Sequence, residues 1–100
     1  MTLEQIIHEL EEIDDSLTIC AEKSPSWSAT SVAALVPADQ VSKNSPIPYF
    51  LEVAVAKNVL RAWSFGRNGR MPDPGEKLNA LIYYAENDAY VMDDLERNLD

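Results

Sequence analysis

The stretch PYFLEVAVAKNVLRAWSFG, residues 48–66, decides the fold. Its fragment LEVAVA alternates as a strand does, but the apolar pattern runs on through Val59, Leu60 and Trp63, too far for one strand. The reading is therefore one helix over residues 49–65, closed by Gly66. At about 100° per residue, Tyr49, Val53, Val55, Ala56, Val59, Leu60, Ala62 and Trp63 cover more than half of its circumference. Lys57, Asn58, Arg61 and Ser64 take the rest. This rotation puts Glu52 near the middle of the apolar arc and sets Phe50 and Phe65 on the polar side.

Upstream, Thr2 is an N-cap, Gln5 completes a capping-box pattern, and Leu3, Ile6, Ile7, Leu10 and Ile13 share one stripe, which predicts a helix over 2–15. SLTICAEK then alternates Leu17, Ile19 and Ala21 against Thr18, Cys20 and Glu22, as a strand with one buried face does. A Ser-rich loop carrying Trp27 leads to the apolar run VAALVP, and the two strands pair most economically as an antiparallel hairpin. Residues 37–48 hold three prolines and read as a long loop. Downstream of the basic linker GRNGRMP, Asp73 as N-cap, Pro74 at the first helical position and Glu76 two residues later start a helix running to about residue 88. The end, YVMDDLERNLD, forms a last short helix or frays. The order α-β-β-α-α predicts a small α+β class domain over residues 1–100, with helices packed on a short antiparallel hairpin.

Composition narrows the function. With 46% hydrophobic residues the chain is too apolar to stay disordered, yet no apolar run is long enough to span a bilayer. Acids near the N-terminus, where an export signal carries Lys or Arg, and a single cysteine, Cys20, fit a cytoplasmic protein. A net charge of −9 repels phosphate backbones, so nucleic acid is not an expected partner. The charge is also unevenly spread. Residues 1–22 hold seven acids and no Lys or Arg, and residues 86–100 hold six acids against Arg97 alone. Residues 57–77, by contrast, carry Lys57, Arg61, Arg67, Arg70 and Lys77 against Asp73 and Glu76. Either the acidic ends fold back onto this basic middle, or an acidic face stays free for a basic partner.

Several side chains are candidates for chemistry. His8, the only histidine, has Glu11 at the spacing that lets a helix present an imidazole and a carboxylate to one metal, with Glu4 and Glu12 on the same outer face. No third ligand of the usual kind accompanies them, so a solvated polar face is the simpler reading and no cofactor is expected. Glu52, if buried without a partner, would have a raised pKa and serve as a general acid, with Glu86 or Asp88 as its companion. The aromatic groups give the strongest lead. Phe50 and Phe65 beside Arg61, Tyr83 and Tyr90 on the outer face of the following helix, and Trp27 in its loop have the composition of interface hot spots. The linker Gly66–Arg70 precedes a helix start but lacks a P-loop pattern, and Cys20 reads as a buried, inert thiol.

These features predict a small acidic cytoplasmic protein that binds a protein partner or its own copy and has no catalytic role. In size and charge it resembles small acidic inhibitors, immunity proteins and adaptors, a likeness of profile with no motif behind it. The alternatives are a carboxylate-dependent enzyme built on Glu52, a divalent-metal binder built on His8 and Glu11, and a homo-oligomeric structural protein.

Overall fold

The start of the first helix shows how the N-terminus is fastened. In the computed structural model, which describes residues 1–40 and 47–87, helix α1 spans Leu3–His8. Its first amides, which have no partner within the helix, bond outside it: Leu3 donates to the Ser31 carbonyl at 2.9 Å and Glu4 to that of Ala29 at 3.0 Å. The Thr2–Gln5 capping box supplies the next bonds, and Ala33 N–H donates to the Met1 carbonyl at 2.9 Å. The helix is shorter than the expected 2–15. It gives way at Glu9 to a 3-10 turn, Leu10–Glu12, and the Asp14 carboxylate then takes the Ser16 amide at 2.8 Å to turn the chain. Leu10 stays in the core across this change. The Ile13 carbonyl, released from helical bonding, accepts from Lys57 Nζ at 2.7 Å, and Asp15 pairs with the same ammonium.

Strands β1 (Leu17–Ala21) and β2 (Ala33–Pro37) form the expected antiparallel hairpin, with Ile19 opposite Leu35. A third strand, β3 (Tyr49–Glu52), lies antiparallel on the other side of β1, giving the sheet order β2-β1-β3. This corrects the expectation of one helix over 49–65: the chain is extended to Glu52, and helix α2 runs from Val53 to Phe65. The register explains why the two were confused. Leu51 faces Ile19 and Tyr49 faces Cys20, so Phe50 is a surplus residue, a bulge. The bulge turns Phe50 and Leu51 inward together, leaving Tyr49 and Glu52 exposed. A strand that buries two consecutive residues loses its period-two signature, and it joins without a break onto the true helical stripe of Val53, Ala56, Val59, Leu60 and Trp63.

Helix α3 begins at Pro74 and is described to Asn87. The core lies between the sheet and the helices, with Leu3, Ile6, Ile19, Phe50, Val53 and Leu81 among its deepest side chains. The result is a small compact α+β domain of element order α-β-β-β-α-α. Among the described residues no helix is long and apolar enough to cross a membrane. The expected C-terminal helix over 90–100 lies outside the described residues.

Two of the aromatics expected at the surface are inside. Phe50 is 1% exposed and meets Trp27 edge to face, with ring centroids 4.9 Å apart at 78°. The Trp27 indole N–H donates to the Ala21 carbonyl at 2.9 Å, and Lys23 lies over its ring. The β1–β2 loop therefore carries a core residue rather than a docking aromatic. Equilibrium unfolding in denaturant separates the two arrangements. Phe50→Ala is expected to lose about 3–5 kcal/mol, as a buried aromatic does, whereas Phe65→Ala stays within about 0.5 kcal/mol of the parent. A single exposed-face helix would make the two losses alike and small.

Candidate functional site

The chain segment between α2 and α3 shapes one wall of the site. Helix α2 ends at Phe65, and Gly66 keeps right-handed backbone angles. The reversal comes later, where Asn68 and Gly69 both take positive φ and the Gly69 amide reaches the Ser64 carbonyl at 2.7 Å. The expected basic linker is thus a turn closed by its own backbone bonds. The guanidinium groups of Arg67 and Arg70 stand 4.2 and 4.6 Å from the centre of the buried Trp63 ring, so both are stacked on it, Arg70 with its outer side still in solvent. Arg70 also forks onto both carboxylate oxygens of Glu76, at 3.1 and 2.8 Å. Asp73 and Glu76 bond each other's amides reciprocally, which fixes the start of α3 where the sequence placed it.

This clamp aims α3 so that its first turns run beside α1. Between them opens a groove of about 670 Å³, with Ile7, Ala29, Pro74 and Leu78 among its apolar lining and Glu4 and Glu9 on the α1 side. A second groove of about 310 Å³ continues from it toward α2, lined in part by Leu60, Phe65, Met71 and Pro72. Ile7, His8 and Lys77 line both, so the two form one trough along α1. At its α2 end Phe65 is 89% exposed and Met71 75% exposed, with Arg61 beside them. Single exposed apolar residues are ordinary, but two large ones at the mouth of an apolar groove form a patch.

The other candidates fall elsewhere. Tyr83 is 39% exposed on α3 and lines neither groove, and Tyr90 lies outside the described residues. Trp27 and Phe50 are core residues, as described. Glu52 is exposed at the junction of β3 and α2, which corrects its expected place in a buried arc and removes the burial on which a general-acid role rested. Its proposed companion Glu86 is exposed on α3, and Asp88 lies outside the described residues. His8 is exposed in the trough and Glu11 stands on the 3-10 turn; among the described residues no three His, Cys, Asp or Glu side chains are grouped to hold a metal ion. Cys20 is buried between Ala34 and Tyr49 in the sheet, and desolvation pushes its thiol pKa up, away from a reactive thiolate.

Two features escaped the sequence. Lys57, expected on the polar side, is only 8% exposed and joins α2 to the turn after α1. The trough itself depends on the meeting of α1 and α3, and its only linear trace is the run of acids over residues 4–15 without a Lys or Arg. No protein family, curated protein or solved structure matches this chain.

The Arg70 clamp has a pH signature. The Arg70 guanidinium first, and the Asp73 amide bond second, hold the Glu76 carboxyl below the usual glutamate range. A depressed carboxylate pKa favours the fold above its unfolded value, and that contribution is lost as pH falls through the folded value. NMR titration is expected to show Glu76 ionising below an ordinary glutamate, and returning toward it in Arg70→Ala.

Proposed function

We propose that the protein is a binding domain that acts through contact with another protein at the α1–α3 trough, without catalytic chemistry of its own. The observation that carries this reading is the pairing of Phe65 and Met71, both largely exposed, with the mouth of an apolar groove. Aromatic, Met and Arg side chains gathered at one place are the composition enriched in interface cores. Exposing them in the free protein costs solvation free energy that a partner recovers on covering them. Their support is rigid, since α2 is packed on the sheet and its end is closed by the stacked Arg67 and Arg70. Glu4, Glu9 and Glu11, on α1 and the turn that follows it, stand beside the trough and suit electrostatic steering of a basic partner.

The test is site-specific photo-crosslinking in the native cells, with the probe at position 65 and, as control, at the exposed Asn79 away from the trough. The reading predicts a discrete crosslinked protein from position 65 only, weakened by Met71→Asp and by added salt. Identical patterns from both positions, or none from position 65, would sink it.

A further inference from the structure

The groove between α1 and α3 carries more than a general binding role. Its lining is apolar along Ile7, Ala29, Pro74 and Leu78, while Glu4 and Glu9 stand on its α1 side. Neither glutamate has an ion-pair partner among the described residues, nor does Glu11 on the lining of the continuing groove. The one acid of this region that does, Asp15, is turned away onto Lys57. An apolar floor with a free acidic rim has the complement of an amphipathic segment: apolar side chains at helical spacing on one face, Lys or Arg along the flank. A second copy of the chain fits less well, since two molecules of charge −9 repel.

Resting on the protein-binding reading above, we infer that the occupant of the α1–α3 groove is a basic amphipathic helix of a partner protein. Its apolar face lies over Ile7 and Leu78, and its cations meet Glu4 and Glu9. Lys77 also lines this groove, so a partner cation is held beside Glu4 and Glu9 and repelled beside Lys77. Phe65 and Met71, at the continuation of the trough, then meet the partner beyond this helix.

Gly75 provides a variant that blocks the groove without removing a charge. It lines the groove, and a Cβ at its position meets only the Asp73 side chain, at 3.4 Å, an ordinary contact. Gly75→Leu in the first turn of α3 is therefore expected to keep or raise the melting temperature while taking up groove volume. The probe is a fluorescent helical peptide of Leu and Lys, with Leu at i, i+3, i+4 and i+7. It is compared with a scrambled peptide of the same composition and with a Leu/Glu peptide of the same pattern. Binding to the full chain is read by anisotropy, and its location by amide shifts at Ile7, Ala29 and Leu78.

The patterned Leu/Lys peptide is expected to bind at the groove about tenfold or more tighter than the scramble, and to lose about tenfold in Gly75→Leu. In the double variant Glu4→Lys, Glu9→Lys the preference shifts toward the Leu/Glu peptide. Equal binding of patterned and scrambled peptides, or binding untouched by Gly75→Leu, would overturn the inference. So would dimerisation of the chain alone that Gly75→Leu abolishes, since the occupant is then a second copy. Absence of peptide binding with crosslinking from position 65 intact defeats this inference alone, and loss of both defeats the protein-binding reading with it.

Discussion

At Phe50 the edge strand carries one residue more than the strand it pairs with, and that surplus turns two consecutive side chains, Phe50 and Leu51, onto the core face of the sheet. Everything on the helical side of the molecule follows from this bulge. Phe50 reaches Trp27 and draws the β1–β2 loop inward, and that loop in turn supplies the Ser31 and Ala29 carbonyls that seat α1. On its other side the bulge releases the chain at Glu52 in an extended conformation, so that α2 begins at Val53 with its apolar stripe already facing the sheet. Bulges bend a strand and raise its local twist, which here delivers a helix directly off an edge strand with no connecting loop.

The trough inherits its shape from the same chain of contacts. Helix α1 is held at its start by the loop carbonyls, and the chain that follows it is fastened by Lys57, whose ammonium takes the Ile13 carbonyl and the Asp15 carboxylate. Helix α3 is held by the Arg70–Glu76 fork and the stacked ring of Trp63. Two helices fixed independently leave between them a gap that their own side chains do not fill, and Glu4 and Glu9 are left along its rim. The same clamp explains why a basic linker next to a helix start is no anion cradle: its arginines are engaged with Trp63 and Glu76.

The elements legible in the sequence are those whose signals are local. The Thr2–Gln5 box and the Asp73-Pro74-Glu76 start of α3 satisfy their own backbone within a few residues and stand where they read. The strand Leu17–Ala21 also stands where its alternation places it, but β2 and β3 on either side and the burial of Thr18 and Cys20 give it two buried faces rather than one. The third strand is missed because its bulge erases the alternation that marks a strand. The path of the chain after α1 is missed because it is fastened by Lys57, forty-four positions away from Ile13. The sites follow the same division. Phe65 is legible as an outward residue because it lies past the last buried turn of α2, whereas the rotation that seemed to bury Glu52 assumed helix where there is strand. Trp27 reads as a loop aromatic because nothing local announces its indole bond to Ala21 or its contact with Phe50.

The bulge is tested most directly by backbone ¹³C chemical shifts across residues 48–56 of the full chain in solution. The account predicts extended-chain Cα and Cβ deviations from Tyr49 through Glu52, changing sign at Val53 and helical from there on. Helical deviations beginning at Tyr49 would contradict it, and with it the inward placement of Phe50 and the seating of both helices that form the trough.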